Sequence, residues 1–288
     1  MKNILLVTAL SILLTAMKSD KPAYKIFEQN GKKSNYSNIL KNAIDADIIF
    51  FGELHDNPIC HWLEYELTAD LYEAKREKLI LGAEMFESDN QVIINEYLKG
   101  LVKDKNFEAE ARLWSNYKTD YKRLLTFARD SSLAFIATNI PRRYAAMVNK
   151  SGFEILNTLS EEAKAFIAPL PIAYDAELDC YKDMIKMMGD APAHTTSNIA
   201  KAQAAKDATM AYFILANFKK GYTFLHYNGS YHSDRFQGIV WYLLKADPSL
   251  KIVTIASTEQ KDLDELDKES INKANFILVT PETMSKTQ

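Results

Sequence analysis

The sequence predicts an α/β fold: a mainly parallel sheet with helices on both faces. Three observations carry that prediction. Short runs that are apolar at nearly every position recur at 48–51, 79–81 (extending to 85), 133–138, 222–227, 252–257 and 276–279. Strands read this way when both of their faces are buried under helices. Helical periodicities separate most of these runs, the alternation expected of an α/β layer fold. Finally, one unit occurs twice: "FFGELHDNP" and "HYNGSYHSD" each give an apolar run, a G-x-x-H motif and the start of a helix. Each is followed by a further strand, which reads as a duplicated βαβ unit with right-handed crossovers.

Taken in order, the chain begins with Lys2, an almost wholly apolar stretch over 4–14, and Ala16. That is the layout of a secretory signal peptide over residues 1–17. The stretch is too short for a transmembrane helix, which needs about 20 apolar residues. No cysteine follows it for lipid attachment, so the expected location is the periplasm or cell envelope, as a soluble form or by a different anchor. Residues 18–288 are read as one α/β domain. A net charge of −3 with no basic run argues against a nucleic-acid partner.

After the first motif, Asn57 is placed to cap a helix and Pro58 suits its first position. Ile59, Trp62, Leu63, Leu67 and Leu71 then form one apolar face. After the second motif, Ser233 or Asp234 is read as the cap of a helix whose face is Phe236, Ile239, Val240, Leu243 and Leu244. Gly238 then falls inside that helix, at a cost of about 1 kcal/mol against Ala. From about 152 to 216 the helical pattern continues without a strand, broken at 168–175 and 189–198, and reads as a helical insertion lying across the sheet. The polar tail after Pro281 is expected to fray. Cys60 and Cys180 read as unpaired core residues, with a disulfide left open.

In an open α/β sheet the ligand crevice lies beyond the carboxyl ends of the strands. Here those ends deliver Glu53 and His55, Glu84 and Glu87, Asn139 with Arg142 and Arg143, and Asn228 with His232. Gly52 and Gly229 are expected to turn the chain there. Glu53, His55, Glu84 and His232 could hold a divalent transition metal. They could equally form acid–base pairs, or tie the strand ends together structurally. His61, six residues from His55, is set aside because the two would not share a helix face. Tyr181, Met184, Ile185 and Met188 share one face of a later helix, and Gln203, Asp207 and Met210 share another. The Gln and Asp would either orient site residues or face water.

At these residues the chain resembles the ChaN-like haem-binding uptake proteins, of a superfamily with the Tiki and TraB proteins and the erythromycin esterases. The resemblance lies in "GELHDNP", "GAEMF", "LWSNYKTDY", "ATNIPRR", "AQAAKDATMA" and "NGSYHSDRFQGI", collinear over roughly 48–257. It implies haem binding and iron acquisition in the bacterial cell envelope, with haem and an envelope haem transporter as partners and room for a homodimer. Elsewhere in the superfamily the paired G-x-x-H motifs and a glutamate serve metal-dependent or hydrolytic chemistry. That alternative would make Glu53, His55, Glu84 and His232 the catalytic or metal residues. Haem itself demands an apolar slot, an axial ligand and cations for its propionates. The insertion offers Tyr174, Tyr181 and His194 as ligands beside Met184 and Met188, with a tyrosine preferred, and Arg142 and Arg143 could hold the propionates.

Overall fold

The computed structural model describes residues 21–187 and 198–287. The leader-like segment at 1–17, Met188 and His194 lie outside the described residues. The chain opens with a hairpin of β1 (Lys25–Glu28) and β2 (Lys33–Ser34), then α1 (Tyr36–Ile44) and β3 (Ile48–Glu53). Next come α2 (Pro58–Lys75), β4 (Leu79–Glu87), α3 (Gln91–Leu98) and α4 (Asp104–Glu110). A π-helical turn (Tyr117–Tyr121) leads into α5 (Lys122–Asp130), β5 (Ala134–Asn139) and α6 (Arg142–Ser151). Then follow α7 (Glu161–Lys164), α8 (Asp179–Met187), α9 (Ile199–Asn217), β6 (Thr223–Gly229), α10 (Ile239–Ala246), β7 (Ile252–Gln260) and β8 (Phe276–Pro281).

The eight strands form one sheet in the order β2-β1-β8-β7-β3-β6-β4-β5. From β8 to β5 every pairing is parallel, and only the β1 and β2 edge is antiparallel. The two G-x-x-H units, β3–α2–β4 and β6–α10–β7, interleave. β6 lies between β3 and β4, and β3 lies between β6 and β7. The units therefore cross in opposite directions along the sheet, and right-handed crossovers in opposite directions land on opposite faces. The packing agrees. Cys60, Leu63, Leu67 and Leu71 of α2 pack with Ile49, Phe51, Leu81 and Tyr227. Ile239, Val240 and Leu243 of α10 pack with Ile48, Phe50, Ile80 and Phe224. Alternate residues of each strand feed alternate cores, the period of two that a pleated strand imposes. β3 and β6, side by side with helices leaving to opposite faces, form the switch point where an α/β sheet opens a crevice.

Asn57 caps α2 as its sequence predicts. Its side chain accepts from Ile59 N at 3.0 Å and donates to Thr280 Oγ1 at 2.9 Å, so the cap also ties α2 to β8. α9 spans the second face. Met210, Ala211 and Ile214 pack on the strands, while Ala202, Ala205 and Ala208 pack on α6. Cys60 and Cys180 are both free and buried. Among the described residues no helix is long and apolar enough to cross a membrane.

Three expectations need correction. The β1–β2 hairpin was not foreseen, because both strands are short and polar; its signal is Asn30–Gly31 at the turn, with Gly31 at φ +85. The tail does not fray: Thr287 N donates to Asp56 O at 2.9 Å, and Lys286 pairs with Asp56 and Glu259. Gly238 is not inside a helix. It precedes α10 with φ +56, and a Cβ there would lie 2.3 Å from His232 O.

That last correction reverses the sign of a mutation. A helix-interior glycine gains about 1 kcal/mol on becoming alanine. In this structure Gly238→Ala meets both a positive φ and a backbone oxygen, so it should cost about 2 kcal/mol or more. Urea unfolding reads the difference; an unchanged or raised midpoint would overturn the placement of Gly238.

Candidate functional site

The tips of β3 and β6 are built by mutual close approach. In the register, Gly52 pairs with Asn228 and Glu53 with Gly229. A Cβ on Gly52 would lie 2.9 Å from Ser230 Cα and Oγ, and one on Gly229 would lie 2.8 Å from His55 Nε2. Each motif's glycine makes room for the other motif. Neither glycine has a positive φ, so the expected chain-turning role gives way to one of clearance.

Two polar networks meet at this junction. In the first, Glu53 Oε1 accepts from His55 Nδ1 and from Tyr121 Oη, both at 2.7 Å. Behind it lie His61 and Glu64, on one face of α2. His61 Nδ1 is 3.5 Å from Glu53 Oε2 and 3.3 Å from Glu64 Oε2. His61 Nε2 donates to His55 O at 3.1 Å, and Asn116 Nδ2 donates to the same carbonyl at 2.9 Å. In the second, His232 sits between two carboxylates, with Nε2 3.1 Å from Glu84 Oε1 and Nδ1 against Asp207 Oδ1. Glu84 Oε2 accepts from Gly229 N at 2.9 Å, and Asp207 Oδ2 accepts from Tyr181 Oη at 3.0 Å. The Gln203 amide lies 3.0 Å from His232 Nδ1. Of the two readings of Gln203 and Asp207, the structure gives the orienting one.

Burial and charge set the protonation states. Burial pulls the His232 imidazolium down, but the Glu84 and Asp207 carboxylates outweigh it and push it up to about 9. Burial pushes Glu84 up, yet His232 holds it below the usual carboxylate range. Asp207 is raised by burial against the pull of His232. Burial opposes charge on Glu53 too, but the bonds from His55 and Glu64 keep it low. Glu64, buried beside Glu53, is pushed well up.

Residues 39–243 match the family model described as haem-binding uptake, Tiki superfamily, ChaN. The chain belongs to that family. Its fold is similar to that of ChaN of Campylobacter jejuni, solved for its cofacial haem binding, at TM-score 0.68 and 18% identity over 89% of this chain and 96% of that one. A Bacillus cereus protein is similar at TM-score 0.50 and 10% identity, over 90% of this chain and 95% of that one. No curated protein matches the chain.

In this ChaN-family chain the structure brings Glu53, His55, Glu84 and His232 to one junction, as expected from the strand tips. No three of them form a group, among the described residues, whose ligand atoms all lie within 4.8 Å of one another. His232 has its two nitrogens against Glu84 and Asp207. Among the described residues, the close cluster of three donor side chains is Glu53, His61 and Glu64, whose ligand atoms lie within 4.8 Å of one another. Sequence reasoning passed over His61 because it judged it against His55 on one helix. His55 precedes α2, and the i, i+3 spacing of His61 and Glu64 was the usable signal.

The haem residues also divide. Tyr181 is 0% exposed with its hydroxyl on Asp207, so it cannot meet a haem from the surface and acts as a positioning residue instead. Tyr174 is half-buried and packs on Phe153 and Tyr181. Met184 is half-buried on α8, whose Ile185 and Met187 are exposed. Arg143 is exposed and engaged with Asp89 at 2.6 Å and the Tyr144 ring, while Arg142 is exposed.

The charge on His232 has a pH signature. An imidazole raised from its ordinary value of about 6.5 stabilises the fold fully below that pH. Its contribution is lost as pH rises through about 9. Histidine NMR should give His232 a midpoint near 9, and Glu84→Gln should lower it by removing the partner on Nε2. A midpoint at or below the ordinary value in the unaltered chain would contradict the network as described.

Proposed function

We propose that this chain binds haem in the cell envelope and serves haem or iron acquisition. The observation that carries this reading is the family match over residues 39–243. Physical support comes from the insertion. α8 leaves Ile185 48% and Met187 79% exposed, an apolar outer face of the kind a flat macrocycle covers. Tyr174 packs at the foot of that helix, and among the described residues its hydroxyl has no hydrogen-bond partner. It is therefore the tyrosine we assign as axial ligand, in place of Tyr181. Among the described residues Arg142 has no ion pair and would be available to a propionate, and Arg143 would have to leave Asp89 to reach one.

ChaN of Campylobacter jejuni binds haem cofacially. Two stacked haems need an apolar wall on each outer side, and two copies of this chain would supply them; we therefore propose a haem-dependent homodimer. The apolar leader over residues 1–17 supports export, and an envelope haem transporter is the partner such a carrier would serve. The matched family is described by haem binding and not by hydrolysis, so the hydrolase alternative is not favoured.

Hemin titration of the full chain tests the reading. A shifted Soret band should saturate at a fixed ratio of haem to chain. Tyr174→Phe should weaken binding tenfold or more, about 1.4 kcal/mol, and alter the ferric spectrum. Tyr181→Phe should leave the Soret position unchanged. No saturable Soret shift would end the proposal, and a spectrum indifferent to Tyr174→Phe would end the ligand assignment.

A further inference from the structure

Below the tip of β3 lies a cluster that haem binding does not use. Glu53, His61 and Glu64 are 1%, 5% and 0% exposed. Their ligand atoms lie within 4.8 Å of one another. His61 Nε2 donates to the His55 carbonyl, which can only accept, so Nδ1 is the ring atom turned toward the two carboxylates. Nδ1 lies 3.5 Å from Glu53 Oε2 and 3.3 Å from Glu64 Oε2, within hydrogen-bond reach of the latter. Glu53 Oε1 is already engaged by His55 and Tyr121, which leaves Oε2 as its open donor. Glu53 Oε2 and Glu64 Oε1 are buried without a hydrogen-bond partner among the described residues. Buried carboxylate oxygens left without a partner are groups that a bound cation would satisfy.

We propose that Glu53, His61 and Glu64 form a buried binding site for one divalent first-row transition ion. Three features fit. The spacing suits an ion: bonds of about 2.0–2.2 Å in a tetrahedral site put ligand atoms about 3.3–3.6 Å apart, and His61 Nδ1 lies 3.3 Å and 3.5 Å from the two carboxylate oxygens. The outer shell is the one metal sites carry. The ligating histidine donates its other N–H to a backbone carbonyl, and a ligating carboxylate is fixed by a tyrosine and a second histidine. The donor types, one imidazole and two carboxylates, suit Zn²⁺, Mn²⁺ or Fe²⁺, and two carboxylates balance a divalent charge. The site is distinct from His55 and His232, the histidines of the repeated motif, and does not depend on haem being bound.

A single proton held between the carboxylates is the competing occupant, and the two are separable on the haem-free full chain. Equilibrium dialysis against Zn²⁺ and separately Mn²⁺, with metal content read by mass spectrometry, should give one ion per chain for at least one of them. Glu64→Gln, which keeps size and shape, and His61→Gln should each weaken uptake tenfold or more. His232→Gln should leave it unchanged. Circular dichroism checks that each variant folds. Co²⁺ loading of the unaltered chain gives a readout without mutation: visible d–d bands that Zn²⁺ abolishes. The proposal fails if neither ion binds at one per chain. It fails equally if the bound ion survives both Glu64→Gln and His61→Gln, or is lost in His232→Gln while Glu64→Gln retains it.

Discussion

The site depends on one constraint: the tips of β3 and β6 approach so closely that neither Gly52 nor Gly229 can carry a side chain. Interleaving makes this approach possible. Each crossover skips a strand, and the skipped strand is the first strand of the other unit. Both G-x-x-H motifs therefore leave the sheet side by side, with their helices on opposite faces. Glycine at each tip lets the His55 ring rest on Gly229 and Ser230 rest on Gly52. It also leaves the Gly229 N–H in reach of Glu84. Without that clearance the two carboxylate–histidine networks would be separate features of separate strands.

Carrying charge into such a dry junction demands pairing, because an unpartnered buried charge costs several kcal/mol. The two networks meet this demand differently. His232 is complete within itself: a cation between Glu84 and Asp207, with Tyr181 and the Gly229 N–H on the remaining oxygens. The Glu53 network is complete only on its outer side, where His55 and Tyr121 donate. Its inner side turns Glu53 Oε2, Glu64 and His61 Nδ1 toward one another. Of the two networks, this one leaves buried carboxylate oxygens without a hydrogen-bond partner among the described residues.

Much of this was legible in the residues. All six apolar runs are strands because residues such as Ile48 and Ile49 feed opposite cores, and a strand so placed has no polar position to interrupt the run. The strand-tip location of Glu53, His55, Glu84 and His232 followed from the same runs. What the sequence hid depended on partners distant along the chain. Gly229 reads as a turn residue until His55 is seen to occupy its space. Gly238 reads as a helix position until the His232 carbonyl is placed beside it. Tyr181 and Met184 share a helical stripe, but α8 rolls so that Tyr181 is wholly enclosed and Ile185 and Met187 stand out. His61 needed the geometry of the β3-to-α2 turn, which carries a helix residue back under the strand it follows.

Size separates the two places where iron or another metal would sit. The Glu53, His61 and Glu64 donor atoms lie within 4.8 Å of one another and are enclosed, room for an ion and nothing larger. A haem needs a slot open at an edge for its propionates, and the exposed face of α8 is where we propose it sits. One polar row joins the two regions. Tyr181 bonds Asp207, Asp207 bonds His232, His232 bonds Glu84, and Glu84 takes the Gly229 N–H on which the His55 ring rests. His55 bonds Glu53, and Glu53 faces His61. The members from Tyr181 to Glu84 spend their hydrogen bonds on their neighbours and serve as a spacer, while Glu53 and His61 at the far end belong to the buried cluster. On the proposed placement of haem at α8, the axial ligand would come from outside the row, which favours Tyr174 over the enclosed Tyr181.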